Sequence, residues 1–233
     1  VADFRLSTDT ERTADEYGAM LLPLFGRSGI DPATASAVIV SSVVPPLNST
    51  LSRLSTEFFG RPPLYVEPGI RTGMPIRYDN PAEVGADRIV NAVAARELYG
   101  APVVVVDFGT ATTFDLVNAA GEYAGGIIAP GILISAEALF AHASRLYRVD
   151  VRRPADLIGR NTAGAMQAGI YFGYIGLVDG ILERLQQEVP GLREIVATGG
   201  QAELIASGSR FIRKTEPLLT MIGLKLIYDR NRA

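Results

Sequence analysis

The chain has no cysteine, and its 233 residues include only one histidine, His142. Without cysteine it cannot form disulfides, thiolate metal sites or a cysteine nucleophile. One histidine cannot complete a structural zinc site without cysteine ligands. Lysine is also scarce and occurs only at Lys214 and Lys225, so nearly all the basic charge is carried by arginine.

A strong net charge and a long hydrophobic run are also lacking. The formal net charge is -3 and the pI is about 5.3, so there is no basic field to attract nucleic acid or an anionic membrane. No uninterrupted apolar run approaches the ~20 residues of a transmembrane helix. The first residues, VADFRLST, lack the charged and apolar regions of a signal peptide. We therefore expect a cytoplasmic protein with neither nucleic acid nor membrane as a partner.

The organisation of the chain suggests two lobes. With 48% hydrophobic residues, the chain can bury a core as one large domain or as two lobes. Strand and helix patterns occur in two successive sets that meet near Gly100. We expect an α/β protein with an N-terminal lobe over residues 1–100, a C-terminal lobe over residues 101–233, and the active cleft between them.

The first set contains helices and single strands. RTADEYGAMLLPLFGRSGI predicts a helix in which Thr13 and Glu16 form a capping box. SAVIVSSVV and PLYVEPG predict strands, while NSTLSRLSTEFFG and PAEVGADRIVNAVAARELYG predict helices. The second set opens with three strands joined by tight turns. If the two lobes are duplicates, the first lacks the corresponding N-terminal hairpin.

The second set begins with PVVVVDFG, TTFDLVN and GEYAGGIIAPG, which predict those three strands. A long helix is expected from about Asn161 to Val189. REIVATGG predicts a strand leading into a helix, and a closing helix is expected from about Glu216 to Arg230. The Gly pair that ends VATGG forms a turn that could receive a flat adenine.

Four glycines lie on one face of the predicted long helix, at Gly169, Gly173, Gly176 and Gly180. Each should weaken an isolated helix by about 1 kcal/mol relative to alanine. Their shared face would let another backbone approach closely. That backbone could belong to the lobe's own sheet or to a second copy of the chain.

PVVVVDFGTATTFDLV ends a buried strand in a carboxylate and a run of hydroxyls. Gly109 lets the backbone approach a bulky anion, while Thr110 and Thr112 offer hydroxyl and amide donors. Because Asp107 would repel a phosphate, a cation has to lie between them. The stretch is therefore either a phosphate-and-metal corner or an ordinary β-turn in which Asp107 caps backbone amides.

GADR, residues 85–88, offers a second candidate chemistry. The carboxylate of Asp87 could accept the proton of an attacking hydroxyl, and Arg88 could neutralise developing charge or hold Asp87 in place. The alternative is a solvated helix face on which the two neighbours do not meet. Thr162 has the capping position of the long helix, where binding of an anion is favoured. The alternative is that Thr162 is an ordinary helix cap. Tyr78 could be a half-buried aromatic before a turn.

DFGTATTFD resembles the second phosphate motif of the superfamily of acetate kinases, sugar kinases, Hsp70 and actin. More narrowly, the chain resembles type III pantothenate kinases almost from end to end. The matching segments, in family order, are FRLSTDTERTADEYG, SSVVPP, TGMPIRYDNPAEVGADRIVNAVAA, DFGTATTFD, GGIIAPG, RRPADLIGRNTAGAMQAGIYFGYIGLVDG, VATGG and LLTMIGLKLIYDRN. One departure is that the family's first strand and Asp-x-Gly-Asn-Thr phosphate loop have no counterpart here.

The resemblance implies two duplicated ribonuclease H-like lobes of the actin-like ATPase type. It implies ATP-dependent phosphorylation of pantothenate to 4'-phosphopantothenate, the first step of coenzyme A biosynthesis, by a homodimer that uses Mg²⁺ with ATP. It also implies a set of site residues: Asp87 as general base; Tyr78, Gly85, Ala86, Asp87, Arg88 and Thr162 for pantothenate; Gly109 and Thr110 for ATP; and Asp107 as ligand of K⁺ or NH₄⁺. Two alternatives are an inactive relative with a regulatory or binding role and a superfamily kinase for another small alcohol or acid.

Overall fold

The computed structural model describes residues 2–142, 146–192 and 194–232. Its strands form two sheets. A parallel pair in the first half consists of β1 (Val38–Val40) and β2 (Pro63–Tyr65). The second half has a five-stranded sheet in the order β5-β4-β3-β6-β7. Its strands are β3 (Val103–Phe108), β4 (Ala111–Val117), β5 (Tyr123–Pro130), β6 (Glu194–Gly199) and β7 (Lys214–Thr215).

In this larger sheet β4 is antiparallel to β3 and β5, whereas β6 runs parallel to both β3 and β7. The mixed α/β architecture and the three-strand opening of the second half are as the sequence predicts. The helices are α1 (Ala14–Arg27), α2 (Asn48–Phe59), α3 (Ala86–Tyr99), α4 (Ile132–His142), α5 (Thr162–Glu188), α6 (Ala202–Ala206) and α7 (Leu219–Asn231).

Local sequence signals explain most helix ends. Thr13 and Glu16 form the expected capping box before α1. Gly60 ends α2 in the left-handed conformation, with φ of 64°. Helix α3 begins at Ala86, later than expected from its proline, because Pro81–Glu83 forms a separate 3₁₀ turn.

Helix α4 was not predicted from the sequence. The apolar residues of α4 lie on all sides of the helix instead of forming a single stripe, so its sequence has little helical periodicity. Ile132 and Ala136 are buried, whereas Leu133, Ile134 and Leu139 are exposed. The short strand β7 was also missed.

The two faces of the five-stranded sheet carry different helices. In β3, Val103 and Val105 belong to a core with α3 and α7, while Val104 and Val106 belong to a core with α5. This alternation follows from the two-residue period of a strand. The same period places Asp107, two residues after Val105, on the face of the sheet that α3 covers.

Helix α3 packs in one core with strands of the second half, although it precedes residue 101. That core includes Val90 and Val93 of α3, Val105 of β3 and Ile227 of α7. A separate small core near the N-terminus contains Ala14, Tyr17, Leu47 and Leu54. The division into lobes at residue 100 stays a prediction.

Helix α5 departs from the expectation that no segment has membrane length. It has 27 residues and an 18-residue window with a mean hydropathy of 1.2, enough by length and composition to cross a membrane. Nevertheless, Val178 and Leu182 lie in the core against the sheet. Asp179 is also buried and accepts hydrogen bonds from Ser209 and Arg210. These contacts are typical of the core helix of a folded α/β protein.

Candidate functional site

Two carboxylates meet where β3 ends. Asp107 is the fifth residue of β3, and Asp87 lies in the first turn of α3, the helix that covers this face of the sheet. A negative charge is favoured at a helix N-terminus. Asp87 Oδ1 accepts a hydrogen bond from the backbone N–H of Arg88 at 2.8 Å. Among the described residues, Asp87 Oδ2 has no hydrogen-bond donor.

Asn91 fixes the orientation of Asp107. It is fully buried, one helical turn after Asp87. Its Nδ2 donates to Asp107 Oδ2 at 2.8 Å, and its Oδ1 accepts from Thr220 Oγ1 at 2.7 Å. Because Thr220 belongs to α7, the two helices on this face together orient the carboxylate at the end of β3.

The pKa of Asp107 is well above the ordinary value of an aspartate. Burial raises its pKa from the ordinary value of 3.8 to about 6, and the nearby charge of Asp87 acts in the same direction. The hydrogen bond from Asn91 acts in the opposite direction. A carboxylate whose pKa is raised by burial and by the charge of a neighbouring carboxylate is typical of a functional site.

Glycine is required beside Asp107. Gly199 ends β6, the parallel neighbour of β3, and has a φ of 91°. A Cβ added at Gly199 would lie 2.5 Å from Asp107 Oδ1. The absent side chain therefore leaves room for that carboxylate and for the backbone turn.

A cavity of about 310 Å³ opens at this edge of the sheet. Its lining combines the ends of β3 and β6, the start of α7 and the N-terminal segment: Asp3, Phe4, Arg5, Asp107, Thr198, Gly199, Gly200, Pro217, Leu218, Thr220 and Met221. Arg5 is a positive group here that the sequence did not single out. The volume is at the lower end of the ~300–1,000 Å³ found for small-molecule sites.

The two threonines at the turn between β3 and β4 differ in their exposure to solvent. Gly109 and Thr110 are exposed, as a phosphate-binding turn requires. Thr112, predicted to offer donors to an anion, is instead buried, and its hydroxyl lies 2.5 Å from that of Tyr174 on α5. The strand period turns Thr112 to the face opposite Asp107, so its contribution is to join β4 to α5.

Arg88 lies in a buried polar cluster, not on a solvated helix face. Its Nε donates to Asp115 Oδ1 on β4 at 2.7 Å. Tyr123 donates to the same oxygen and Thr113 donates to Oδ2, each at 2.8 Å. Burial raises the pKa of Asp115, while its contacts with these three residues lower it. Burial also raises the pKa of Tyr123, so its phenol remains a donor.

Tyr78 stands beside this cluster. The preceding segment pairs with the edge of the sheet, where Arg77 N donates to the carbonyl of Tyr123 at 2.8 Å. The ring of Tyr78 lies 6.4 Å from that of Tyr123, and a Cβ at Gly125 would be 3.6 Å from it. Gly125 has a φ of 101° and lies where the register between β4 and β5 shifts. The irregularity shapes the strand beside Tyr78.

The GADR segment places its remaining residues around the start of α3. Gly85 precedes the helix, and a Cβ there would lie 2.7 Å from Asp87 Oδ1. Ala86 is partly buried against the core of α3. The structure therefore brings Tyr78, Gly85, Asp87, Arg88 and Asp107 to the same side of the sheet.

Thr162 lies elsewhere. It is exposed and is the first residue of α5, the helix on the opposite face of the sheet. The expectation that it caps this helix is wrong, because Asn161 is the N-cap and its side chain accepts from Gly164 N. A cavity of about 480 Å³ at this helix start is lined by Arg152, Arg153 and Arg160, among others. No hydrogen bond among the described residues joins Thr162 to Tyr78, Asp87 or Arg88.

Sequence reasoning missed Asn91, Asp115, Tyr123 and Thr220. Asn91 had a detectable signal, because residues four apart share one face of a helix and Asp87 is such a neighbour. Asp115 also had one, since a carboxylate inside a buried strand needs partners. Tyr123 and Thr220 gave no comparable signal, because their roles depend on long-range contacts.

The residues present suit a cation beside Asp107 better than a multidentate metal centre. Among the described residues, no group of three or more His, Cys, Asp or Glu side chains could hold a metal ion. A positive ion would, however, relieve the mutual repulsion of Asp87 and Asp107. One protein carboxylate together with substrate phosphates is also a common environment for Mg²⁺.

Comparisons with known proteins show which family the chain resembles. Residues 1–184 match the family model of type III pantothenate kinases. Across all of its 233 residues the chain is 54% identical to the type III pantothenate kinase of Koribacter versatilis, covering 85% of that protein. It is 57% identical over 232 residues to that of Geobacter sulfurreducens, covering 91% of it. A Campylobacter jejuni structure assigned to the Baf family of transcriptional activators has a similar fold, with a TM-score of 0.57 and 22% identity over 85% of this chain and 84% of that one.

The raised pKa of Asp107 predicts a pH-dependent cost to stability. At low pH both the folded and the unfolded carboxyl are protonated, and Asp107→Asn should then have about the stability of the wild type. As the pH rises from 3.8 through about 6, the unfolded chain releases its proton first and the wild type loses stability. At pH ~7 the variant should therefore be more stable by about 1–3 kcal/mol.

Urea unfolding at acid and neutral pH, in tetramethylammonium buffer without nucleotide, measures this difference. Asparagine keeps an acceptor for Asn91, so the substitution removes mainly the charge. Equal stabilities of the variant and the wild type at neutral pH would contradict the assignment of Asp107 as a disfavoured buried carboxylate.

Proposed function

Because the chain belongs to the type III pantothenate kinase family, we propose how its residues carry out the ATP-dependent phosphorylation of pantothenate to 4'-phosphopantothenate. This reaction is the first step of coenzyme A biosynthesis. The observation that carries the proposal is the Asp87–Asp107 pair, in which Asp107 lines the cavity at the ends of β3 and β6 and the nearby charge of Asp87 raises the pKa of Asp107. One carboxylate accepts a proton, and the other holds a cation.

Asp87 is the general base. Its Oδ1 is held by the backbone of Arg88, which leaves Oδ2 for the primary hydroxyl of pantothenate. As the hydroxyl oxygen forms its bond to the γ-phosphorus of ATP, its proton passes to Asp87. The bond between that phosphorus and the β–γ bridging oxygen breaks, and ADP leaves. Tyr78, Gly85, Ala86 and Arg88 surround the acceptor.

The nucleotide binds at the ends of β3 and β6. The exposed backbone of Gly109 and Thr110 and the hydroxyl of Thr110 bind its phosphates. The cavity bounded by Gly199 and Gly200 receives the rest of the nucleotide. Mg²⁺ accompanies ATP and neutralises phosphate charge during transfer. Asp107 would hold K⁺ or NH₄⁺, whose charge would offset the repulsion between this carboxylate and the phosphates.

The active form is a homodimer assembled through α5. The glycine face does not pack on the sheet of its own chain: a Cβ at Gly169, Gly173 or Gly176 would meet no atom within 4 Å. Nearby apolar side chains are also exposed, with Leu133 at 52% and Ile134 at 46%. A second copy would cover this surface and could complete the surroundings of Thr162. The enzyme works in the cytoplasm, the site of coenzyme A synthesis.

The first prediction of this proposal concerns the base. Asp87→Asn keeps the shape of the side chain but cannot take the hydroxyl proton, so kcat should fall by ~10²-fold or more. ATP binding, measured by calorimetry, should be nearly unchanged because the nucleotide site lies at β3 and β6. A coupled assay for ADP release gives the rate, and turnover at the wild-type level would exclude Asp87 as the base.

The second prediction concerns the cation. Activity should require K⁺ or NH₄⁺, and Asp107→Ala should remove that requirement along with most of the activity. Rates are compared in potassium, ammonium, sodium and tetramethylammonium buffers at constant ionic strength and saturating MgATP. Equal wild-type rates in all four would contradict the role of Asp107 as a cation ligand.

The third prediction concerns the dimer. Gly173→Leu has free space within its own chain but would overpack a helix contact with a second copy, at a cost of about 1–3 kcal/mol or more. Sedimentation velocity should show loss of the dimer. Pantothenate binding should weaken with it, and ATP binding should be less affected.

Gly26→Leu is the matched control, because Gly26 is also helical and a Cβ there would meet nothing within 4 Å. It should leave the dimer intact. A folded Gly173→Leu monomer that binds pantothenate normally would mean that one chain builds the whole acceptor pocket.

A further inference from the structure

The N-terminal segment, residues 2–9, lies beside the ends of β3 and β6 without forming a helix or a strand of its own. Three of its residues, Asp3, Phe4 and Arg5, line the cavity that also contains Asp107 and the turn after β6. The cavity therefore has one wall from the first half of the chain and another from the second half. The proposed function places the nucleotide between these walls.

Contacts on both sides of Arg5 hold this segment in place. The ring of Phe4 lies 5.3 Å from that of Phe25 on α1, in an edge-to-face arrangement. Leu6 packs against the small core near the N-terminus. The backbone at Arg5 is thus fixed by its two neighbours, and the side chain of Arg5 is not needed to hold it.

The side chain of Arg5 is exposed and lies against the turn that ends β6. A Cβ added at Gly200 would be 3.8 Å from Arg5 Nη1. Among the described residues, the guanidinium group of Arg5 makes neither a hydrogen bond nor an ion pair. Most exposed arginines are simply hydrated. Arg5 differs from them because it lines a cavity and has its donors available to a molecule that binds there.

The charges of the cavity give Arg5 a specific task. Its lining contains two carboxylates, Asp3 and Asp107, and Arg5 is the one basic side chain among the described residues that line it. A triphosphate remains negative even with Mg²⁺ bound, so both carboxylates repel it. The cation proposed at Asp107 offsets only one of them. Arg5 is therefore the lining side chain whose charge attracts the nucleotide.

We propose that Arg5 is a nucleotide-binding residue whose guanidinium group donates hydrogen bonds to phosphate oxygens of ATP. The planar group can donate two parallel hydrogen bonds, and such charge-assisted bonds are about twice as strong as neutral ones. Through the bound nucleotide, the contact joins the N-terminal segment to the ends of β3 and β6. This inference rests on the proposed function, which places the nucleotide in this cavity but assigns no basic side chain to it.

Arg5→Gln tests the proposal, because it removes the charge and keeps a long polar side chain. We expect the Kd values of ADP and ATP, measured by calorimetry with Mg²⁺ and K⁺ but without pantothenate, to rise ~10-fold or more. The KM for ATP should rise by a similar factor, while kcat and the KM for pantothenate should each stay within about threefold. Unchanged nucleotide affinity would overturn the proposal. A fall in kcat with unchanged nucleotide Kd would also overturn it, because Arg5 would then act only in the transition state.

Arg61→Gln is the matched control. Arg61 is also an exposed arginine of the first half, and its side chain makes no hydrogen bond or ion pair among the described residues. It does not line the cavity. The substitution changes the net charge by the same amount and should leave the nucleotide Kd within about twofold of the wild type. An equal loss of affinity in both variants would mean that only the overall charge matters, and Arg5 would not be a ligand.

Arg5→Lys separates charge from stacking. A guanidinium plane can also stack on a nucleobase, whereas lysine binds phosphate as a point charge. We therefore expect Arg5→Lys to bind ADP within about threefold of the wild type. A lysine variant as weak as Arg5→Gln would mean that Arg5 stacks on the adenine, and the proposed phosphate contact would be wrong. Because the side chain is exposed and unpaired among the described residues, both variants should unfold at the urea concentration of the wild type.

Hydrogen exchange gives a readout that does not depend on activity. Bound ADP should slow the exchange of the backbone amides of residues 3–8 in the wild type, and should slow it less in Arg5→Gln at saturating ADP. A wild-type segment whose exchange is unaffected by ADP would contradict the proposal.

The wild type separates this inference from the proposed function. If it binds neither ADP nor ATP, the proposed nucleotide site is wrong and the inference falls with it. If it binds both and Arg5→Gln binds them equally well, the inference alone is wrong.

Discussion

The site depends on holding a carboxylate, Asp107, where burial and a neighbouring negative charge both oppose its ionisation. The fold meets this demand from three directions. Helix α3 supplies Asn91 as a donor, α7 supplies Thr220 to orient Asn91, and β6 ends in a glycine that leaves room for Oδ1. The five-stranded sheet and its two covering helices are thus arranged around one unfavourable charge, which enzymes commonly maintain at a cost to stability.

Helix α3 links the two proposed substrate sites. Its first turn presents Asp87 to the proposed acceptor, and one turn later Asn91 contacts Asp107 in the nucleotide region. Between them Arg88 reaches β4, the strand next to β3, where Asp115 binds it. Helix α3, packed across the sheet, therefore fixes the relative positions of the proposed base, the proposed cation ligand and Arg88. Such preorganisation is what phosphoryl transfer chiefly requires of a protein.

Much of this could be predicted from the sequence, because the signals are local. The run of valines before Asp107 identifies a buried strand, and the capping box of α1 and the glycine after α2 mark helix boundaries correctly. The failures have long-range causes. Thr112 pairs with Tyr174, 62 positions away in the chain, and Thr220 contacts Asn91 from a distance of 129 positions. Neither separation leaves a periodic pattern. Helix α4 was missed because its apolar residues are not confined to one face.

Two features of the single chain carry a cost that its described residues offset only in part. Asp107 is a half-buried carboxylate near another, and α5 carries a strip of glycines facing open space. Each is of a kind that native proteins rarely retain without a reason. In our proposals the first cost is met by a cation and the second by a second copy of the chain. These two features therefore coincide with proposed binding surfaces.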